Sequence, residues 1–375
     1  MKAKKFLALF SALAVGASLC VFAACNDEPN NPNNPNKPNP PQVTYGLPVA
    51  GRGHYIKDAD LLQDGETRWL LYTTNETSGE EDNAIAVRKG TFEEGEGKGW
   101  AYGEEKIVLG GETGKWDENI GSASLVKGAF TLNSEEYGWM IAYCATDTSN
   151  ETQYQIGLAV AKTPDGEWKK VSETPVIEFD GGVYGATSVG CYAPSLVNMD
   201  KGSKIRLFYT YADVFGHFAQ FYDFDGSNLD TIELSGVAQC PNHGGIEGGD
   251  AVPMFPNADF AYDAQTGKIY AVKDVSPSAS INPQYATRIQ LLYIAEEELE
   301  TIEEGEGWVG VRTWDSTDTP DAEYERLYGA CILSDAYGHV AAGAAEIIYN
   351  ICELQADNED YLFTQNLTTL NVTLN

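Results

Sequence analysis

Side chains able to move protons or to hold polar ligands gather in a few short segments of this 375-residue chain. Asp58 and Asp60 sit in KDADLL, Ser122 and Ser124 in GSASL, and Tyr192 and Ser195 in CYAPSL. Asn257 and Asp259 follow in PNADF, then Cys331 and Asp335 in GACILSD. A glycine-rich run, CPNHGGIEGGDAVPMF, adds His243, Glu247 and Asp250. Positioned carboxyl groups can give or take protons in a reaction. Glycines let backbone approach a ligand closely, and functional residues favour such loops. The plainer reading of that run is a solvated connection carrying an exposed Glu and Asp. With four histidines in the chain, His54 and His217 read as hydrogen-bonded packing residues.

The elements that must position these residues repeat. Short Tyr/Val/Ile/Leu-rich runs alternate with Gly/Asp/Asn turns, which is the punctuation of an all-β protein. Five similar runs carry Tyr72, Tyr143, Tyr209, Tyr270 and Tyr349 at gaps of 71, 66, 61 and 79, a mean of about 69. Acidic-glycine turns place Trp100, Trp168 and Trp308 at gaps of 68 and 140, one and two periods, with the missing member near the turn FDGSNL. A third series precedes each tyrosine run: DADL from Asp58, SASL from Ser122, APSL from Ala193, NADF from Asn257 and GACI from Gly329. Three series with one spacing, over residues 46–375, predict a five-bladed β-propeller, since a unit of this size holds four antiparallel strands. A pair of β-sandwiches would not produce five in-phase copies. In a propeller the inner strands line a central channel, so the polar residues of the third series should converge at one mouth.

Composition narrows the partners. The chain has 24 Lys+Arg against 56 Asp+Glu, a net charge of −32, which disfavours nucleic acid and anionic lipid. Neutral polymers such as polysaccharides remain. Lys2, Lys4 and Lys5 precede an apolar run ending Ala23-Ala24-Cys25, an order that resembles a bacterial lipoprotein signal; the alternatives are an ordinary secretory signal or an uncleaved anchor. The expectation is a signal peptide over 1–24, a lipidated Cys25, and an Asn/Pro-rich tether through residue 45 that holds the domain off the membrane. The protein would then be extracellular and membrane-bound only through its lipid. Cys144, Cys191, Cys240, Cys331 and Cys352 show no C-x-x-C spacing; Cys331 with Cys352 is the best candidate pair, with buried free thiols the alternative.

The strings KDADLLQDGETRWLLYTTN, IGLAVAKTPDGEWKKV and APSLVNMDKGSKIRLFYT resemble the five-bladed propeller glycoside hydrolases, the superfamily that includes family 43. The resemblance covers essentially residues 46–375 and is strongest through blade three. It implies cleavage of a glycosidic bond with inversion by a base, an acid and a further Asp. The family's base matches Asp58, with Ala59 replacing the usual proline; the second Asp matches Ser124, and the acid matches Tyr192. One of three carboxylates is therefore kept, and a tyrosine phenol is a poor acid at its ordinary pKa of about 10.

Two expectations follow. In the first, the protein is an inverting glycosidase in which Glu247 acts as acid and Asp58 as base, with Asp250 beside them. Asp60, Tyr192, Asp259 and His243 would contact sugar, with Tyr184, Trp116 and Trp139 as stacking platforms or ordinary packing. In the second, it is a non-catalytic glycan-binding lipoprotein on an inactivated hydrolase propeller. A monomer is expected in either case. Some propellers of this kind hold channel calcium, but no EF-hand-like run appears, and no metal ligands or other cofactor are assigned.

Overall fold

Both faces of the tyrosine runs are apolar, so these strands must be covered on both sides. Thr67–Asn75, for example, is buried along nearly its whole length. A ring of radially packed sheets meets that demand. The computed structural model describes residues 43–45, 55–75, 83–95, 99–147, 153–179, 190–213, 215–232, 237–248, 254–275, 286–301, 305–318, 326–340, 343–352 and 366–374. The expectations for Cys25, the signal and most of the tether, His54, Tyr184 and Asp250 lie outside these residues.

Five antiparallel sheets form the blades of a propeller. Their inner strands are Tyr55–Asp64, Asn119–Leu132, Gly190–Asn198, Asp259–Asp263 and Arg326–Ile332. Each pairs with a second strand in the order the repeat predicts: Thr67–Asn75, Glu135–Thr146, Lys204–Asp213, Lys268–Val275 and Ala344–Cys352. Blade five takes its outermost strand from the other end of the chain, where Val43–Tyr45 pairs with Asn366–Thr373. The tryptophans of the acidic-glycine turns stand where outer strands begin, Trp100 within one and Trp168 and Trp308 just before theirs.

Instead of one core there are five main apolar clusters, one in each interface between neighbouring blades. Tyr72, Tyr143, Tyr209 and Tyr349 are buried there at one equivalent place, the second-strand residue just beyond the partner of Asp60, Ser124, Ser195 or Cys331. In blade four that place belongs to Lys273, because Asp259 pairs with Val272. Tyr270 lies three residues out of phase. Lys273 is fully buried, its Nζ donating to the Glu247 carbonyl (2.6 Å), and desolvation lowers its pKa to about 8. A long polar-tipped side chain has replaced the phenol.

The far end of the channel is closed by a segment the repeat did not foresee. Between the first two strands of blade five, residues 333–340 cross the axis. Ser334 pairs with Leu62 of blade one, while the carbonyls of Ala336, Tyr337 and Gly338 accept the amides of Lys127, Asn198 and Tyr262 from blades two, three and four. Asp335 organises this plug, accepting the Tyr337 and His339 amides and pairing with Lys201. It is therefore at the opposite end of the channel from the other residues of the third series.

The five described cysteines are buried and form no disulfide. Cys331 and Cys352 sit at opposite ends of their strand pair, Cys331 opposite Ile348 and Cys352 opposite Arg326. That separation rules out the candidate bridge and leaves the alternative, buried thiols.

Candidate functional site

The third series converges as its spacing implied. Asp58, Asp60, Ser122, Ser124, Asn257, Asp259 and Cys331, with alanines, Pro194 and Gly329, line a small axial pit of about 40 Å3. Local backbone explains how. The first residue of the four-residue segment has left-handed backbone in four blades, with φ of 51° at Asp58, 48° at Ala193, 46° at Asn257 and 55° at Gly329. In four blades the pairing register slips at this point. A bulge of this kind re-aims side chains, and non-glycine residues at such φ carry strain that the surroundings must overcome.

The surroundings are two tiers of hydrogen bonds that pass from each blade to the next. In the lower tier the third residue of each segment accepts the amide of the fourth residue in the following blade. Asp60 Oδ2 takes Leu125 N (2.6 Å), Ser124 Oγ takes Leu196 N (3.0 Å), and Ser195 Oγ takes Phe260 N (3.0 Å). Asp259 Oδ2 takes Ile332 N (2.8 Å), and Cys331 receives Leu61 N to close the circle. In the upper tier the amide of a segment's first residue is accepted by a side chain of the preceding blade. Ser122 Oγ holds Ala193 N (3.2 Å), the Tyr192 hydroxyl holds Asn257 N, Asp274 Oδ1 holds Gly329 N (2.8 Å) and Asn350 Oδ1 holds Asp58 N (3.2 Å).

These tiers recast several expected ligand contacts. Asp60 and Asp259 stand at the pit, but their carboxyls hold backbone amides, and Ser195 Oγ also donates to Asp259 Oδ1 (2.7 Å). Burial raises the pKa of both, and Asp259's charge raises that of Asp60 further. Tyr192 is half-buried at the junction of blades three and four; its hydroxyl shares a hydrogen bond of 2.6 Å with Nδ1 of His217, whose protonation burial disfavours. Desolvation drives the Tyr192 phenol well above its ordinary range.

Glu247 is not part of the pit. Its carboxylate stands over the third and outer strands of blade four, bonded to Arg288 Nη1 (3.1 Å) and Thr313 Oγ1 (2.8 Å). His243 packs against Gly307 near the outer edge of the same blade, its carbonyl accepting Trp308 N. Trp116 stacks on Tyr143, and Trp139 is buried under Lys127, so both are packing residues. What remains is Asp58. Its side chain is 19% exposed, 3.7 Å from Lys57 Nζ, and its carboxylate belongs to neither tier.

Sequence reasoning missed Asp274. It is buried in blade four's second strand, accepting Gly329 N through one oxygen and Asn257 Nδ2 through the other (2.7 Å). Burial, with a contribution from Asp58, raises its pKa to about 7.

Calcium takes six to eight oxygen ligands; of the three carboxyls that line the pit, those of Asp60 and Asp259 already hold backbone amides, and that of Asp58 belongs to neither tier. No group of three or more His, Cys, Asp or Glu suited to a metal occurs among the described residues.

No family model and no curated protein matches the sequence. Solved structures do. A thermostable family-43 glycoside hydrolase matches with a TM-score of 0.52 at 17% identity, over 87% of this chain and 92% of that one. The chain has the five-bladed propeller fold of these glycoside hydrolases. A family 117 glycoside hydrolase of the marine bacterium Zobellia galactanivorans matches at 0.55 and 12% identity, over 89% and 91%. An α-L-arabinofuranosidase from Podospora anserina, solved with cellotriose, matches at 0.51 and 12% identity, over 89% and 98%. At these identities the likeness speaks to the fold; the chemistry of this propeller rests on its own residues.

Proposed function

We propose that this chain is an inverting glycoside hydrolase, tethered to the bacterial surface through a lipidated Cys25, that acts on a neutral polysaccharide or oligosaccharide. One observation carries the reading. Asp58, its carboxylate outside both hydrogen-bond tiers, is held on a strained bulge at the rim of a pit of about 40 Å3. That volume is too small for a sugar ring and ample for one water, which needs roughly 10–15 Å3. A water seated there lies within reach of Asp58, with Ser122 and Asn257 as further polar partners. Asp58 takes its proton as the oxygen attacks the sugar placed over the mouth, which is the base's part in inversion. The strongly negative net charge suits a ligand without anionic groups.

The test is Asp58→Asn. Turnover of the responsive glycoside should fall by about 10²- to 10⁴-fold, while oligosaccharide affinity stays within a small factor of wild type. An unchanged rate would remove Asp58 from the chemistry.

A second reading, glycan binding without turnover, is favoured by the commitment of Asp60 and Asp259 to backbone amides. It predicts oligosaccharide affinity with no hydrolysis of any probe by the wild-type protein.

A further inference from the structure

The hydrolase reading leaves the departing oxygen without a proton donor, and the inference here rests on that reading. The geometry points to Asp274 as the proton donor that works opposite Asp58 across Gly329.

The architecture alone does not call for an acid at this position. The second-strand residues two beyond the partners of Asp60, Ser124, Ser195, Asp259 and Cys331 are Thr73, Cys144, Thr210, Asp274 and Asn350. They are equivalent places in five blades, and only blade four has a carboxyl. Asn350 does the same structural task as Asp274, holding the amide of the next blade's first residue with a neutral side-chain oxygen. An asparagine would therefore serve the fold at 274.

What lies between the two acids is a glycine. A Cβ on Gly329 would stand 3.2 Å from Asp58 Oδ1, and the Gly329 amide is 2.8 Å from Asp274 Oδ1. Following those contacts through the glycine backbone, with N–Cα of 1.46 Å, keeps the two carboxyl oxygens within roughly 8.5 Å of each other. That ceiling is compatible with the wider separation of inverting enzymes, which leaves room for the water. The groups around Asp274 also suit a donor. Burial and the charge of Asp58 favour its protonated form, against Asn257, the Gly329 amide and Arg326. Lys273, the next residue, bonds the carbonyls of Glu247 and Asp274, not the carboxyl. An acid and a base whose environments differ in this way divide the roles between them.

In the step, the C1–O bond breaks with its electron pair going to the departing oxygen. That oxygen takes the Asp274 proton by relay through one water beside Gly329, since Asp274 itself is buried. The pit water forms the new bond to C1 and gives its proton to Asp58, and the two carboxyls reset by exchange with solvent.

The experiment uses the full chain with 2,4-dinitrophenyl, 4-nitrophenyl and methyl glycosides of α-L-arabinofuranose, β-D-xylose and β-D-galactose. Dinitrophenolate leaves without protonation, while methanol does not. Asp274→Asn should lose about 10²- to 10⁴-fold in kcat on the methyl glycoside and little on the dinitrophenyl one, whose turnover also shows that the variant is folded. In the wild-type protein, kcat/KM for the methyl glycoside should fall as pH rises through about 7, with no such limb for the dinitrophenyl glycoside. Equal losses on both leaving groups, an unaffected variant, or identical alkaline limbs would each overturn the role of Asp274 while leaving Asp58 and the hydrolase reading in place. A wild-type protein that turns over none of the probes would overturn that reading, and this one with it.

Discussion

Asp60 and Asp259 lie near enough across the axis to feel each other's charge, and both are desolvated. Their folded pKa values are raised, by desolvation first and for Asp60 by Asp259 next. The folded protein thus binds protons more tightly than the unfolded chain, where Asp titrates near 3.9. Linkage then has a definite sign: this contribution is fully present below the unfolded pKa and is lost as pH rises through the raised folded value. Wild-type stability should decline between about pH 4 and neutrality through these two groups. Asp60→Asn keeps an oxygen for the Leu125 amide and removes one of the two charges. Urea midpoints for the variant should fall less than those of wild type between pH 5 and 8, and parallel pH curves would contradict the assignment. These two residues read as ligand contacts in the sequence because a carboxylate holding an amide and one facing a sugar are the same letter. Asp274 escaped notice for the converse reason, as the last of three charged residues in the strand-like KIYAVKDV.

At the scale of elements, the repeat was legible because burial of second strands on both faces demands the same large apolar side chains five times over. The four-residue segments were legible for a similar reason, since the bulge and the next blade's amide impose small and polar residues at fixed places. The out-of-phase Tyr270 and the equivalence of Lys273 with the tyrosines became visible only through the pairing of Asp259 with Val272. The plug left little sequence signature, because it bonds each of blades two, three and four backbone to backbone, with side-chain bonds to blade three added by Asp335 to Lys201 and by His339 to the Asn198 carbonyl. One residue in it is still sterically required. Gly338 has φ of 79°, and a Cβ there would lie 2.7 Å from the Leu196 carbonyl oxygen and 3.0 Å from Val197 Cα, both backbone atoms that cannot swing aside. Gly338→Ala should therefore cost about 1–3 kcal/mol through strain and overpacking, read as a lower urea midpoint with an unchanged m-value. A neutral result would mean that the plug can lift off the inner strands without consequence for the rest.

For the whole molecule the question is what closes the ring between blades five and one. Val43–Tyr45 stitches the chain's start onto blade five through Asn366–Thr373, which covers an otherwise open sheet edge. Yet the same seam is held independently by Asn350 on the Asp58 amide, Cys331 on the Leu61 amide and Ser334 against Leu62. An apolar cluster joining Ile56, Leu61 and Leu70 to Cys331, Ile348 and Leu367 lies in that seam as well. The inner bonds lie at the axis, where neighbouring blades meet, and the edge strand lies at the rim. Deleting residues 43–45 should therefore lower Tm by a few degrees, as loss of a few net hydrogen bonds of about 1 kcal/mol each would do, and leave a single calorimetric transition. Asn350→Ala, which strips the Asp58 amide of its partner at the axis, should leave a buried donor unsatisfied at about 1–3 kcal/mol. It should also slow any turnover that depends on the placement of Asp58, whereas the deletion should not. Two separate transitions in the deletion variant would show that the rim strand, and not the axial tiers, makes the five blades fold as one.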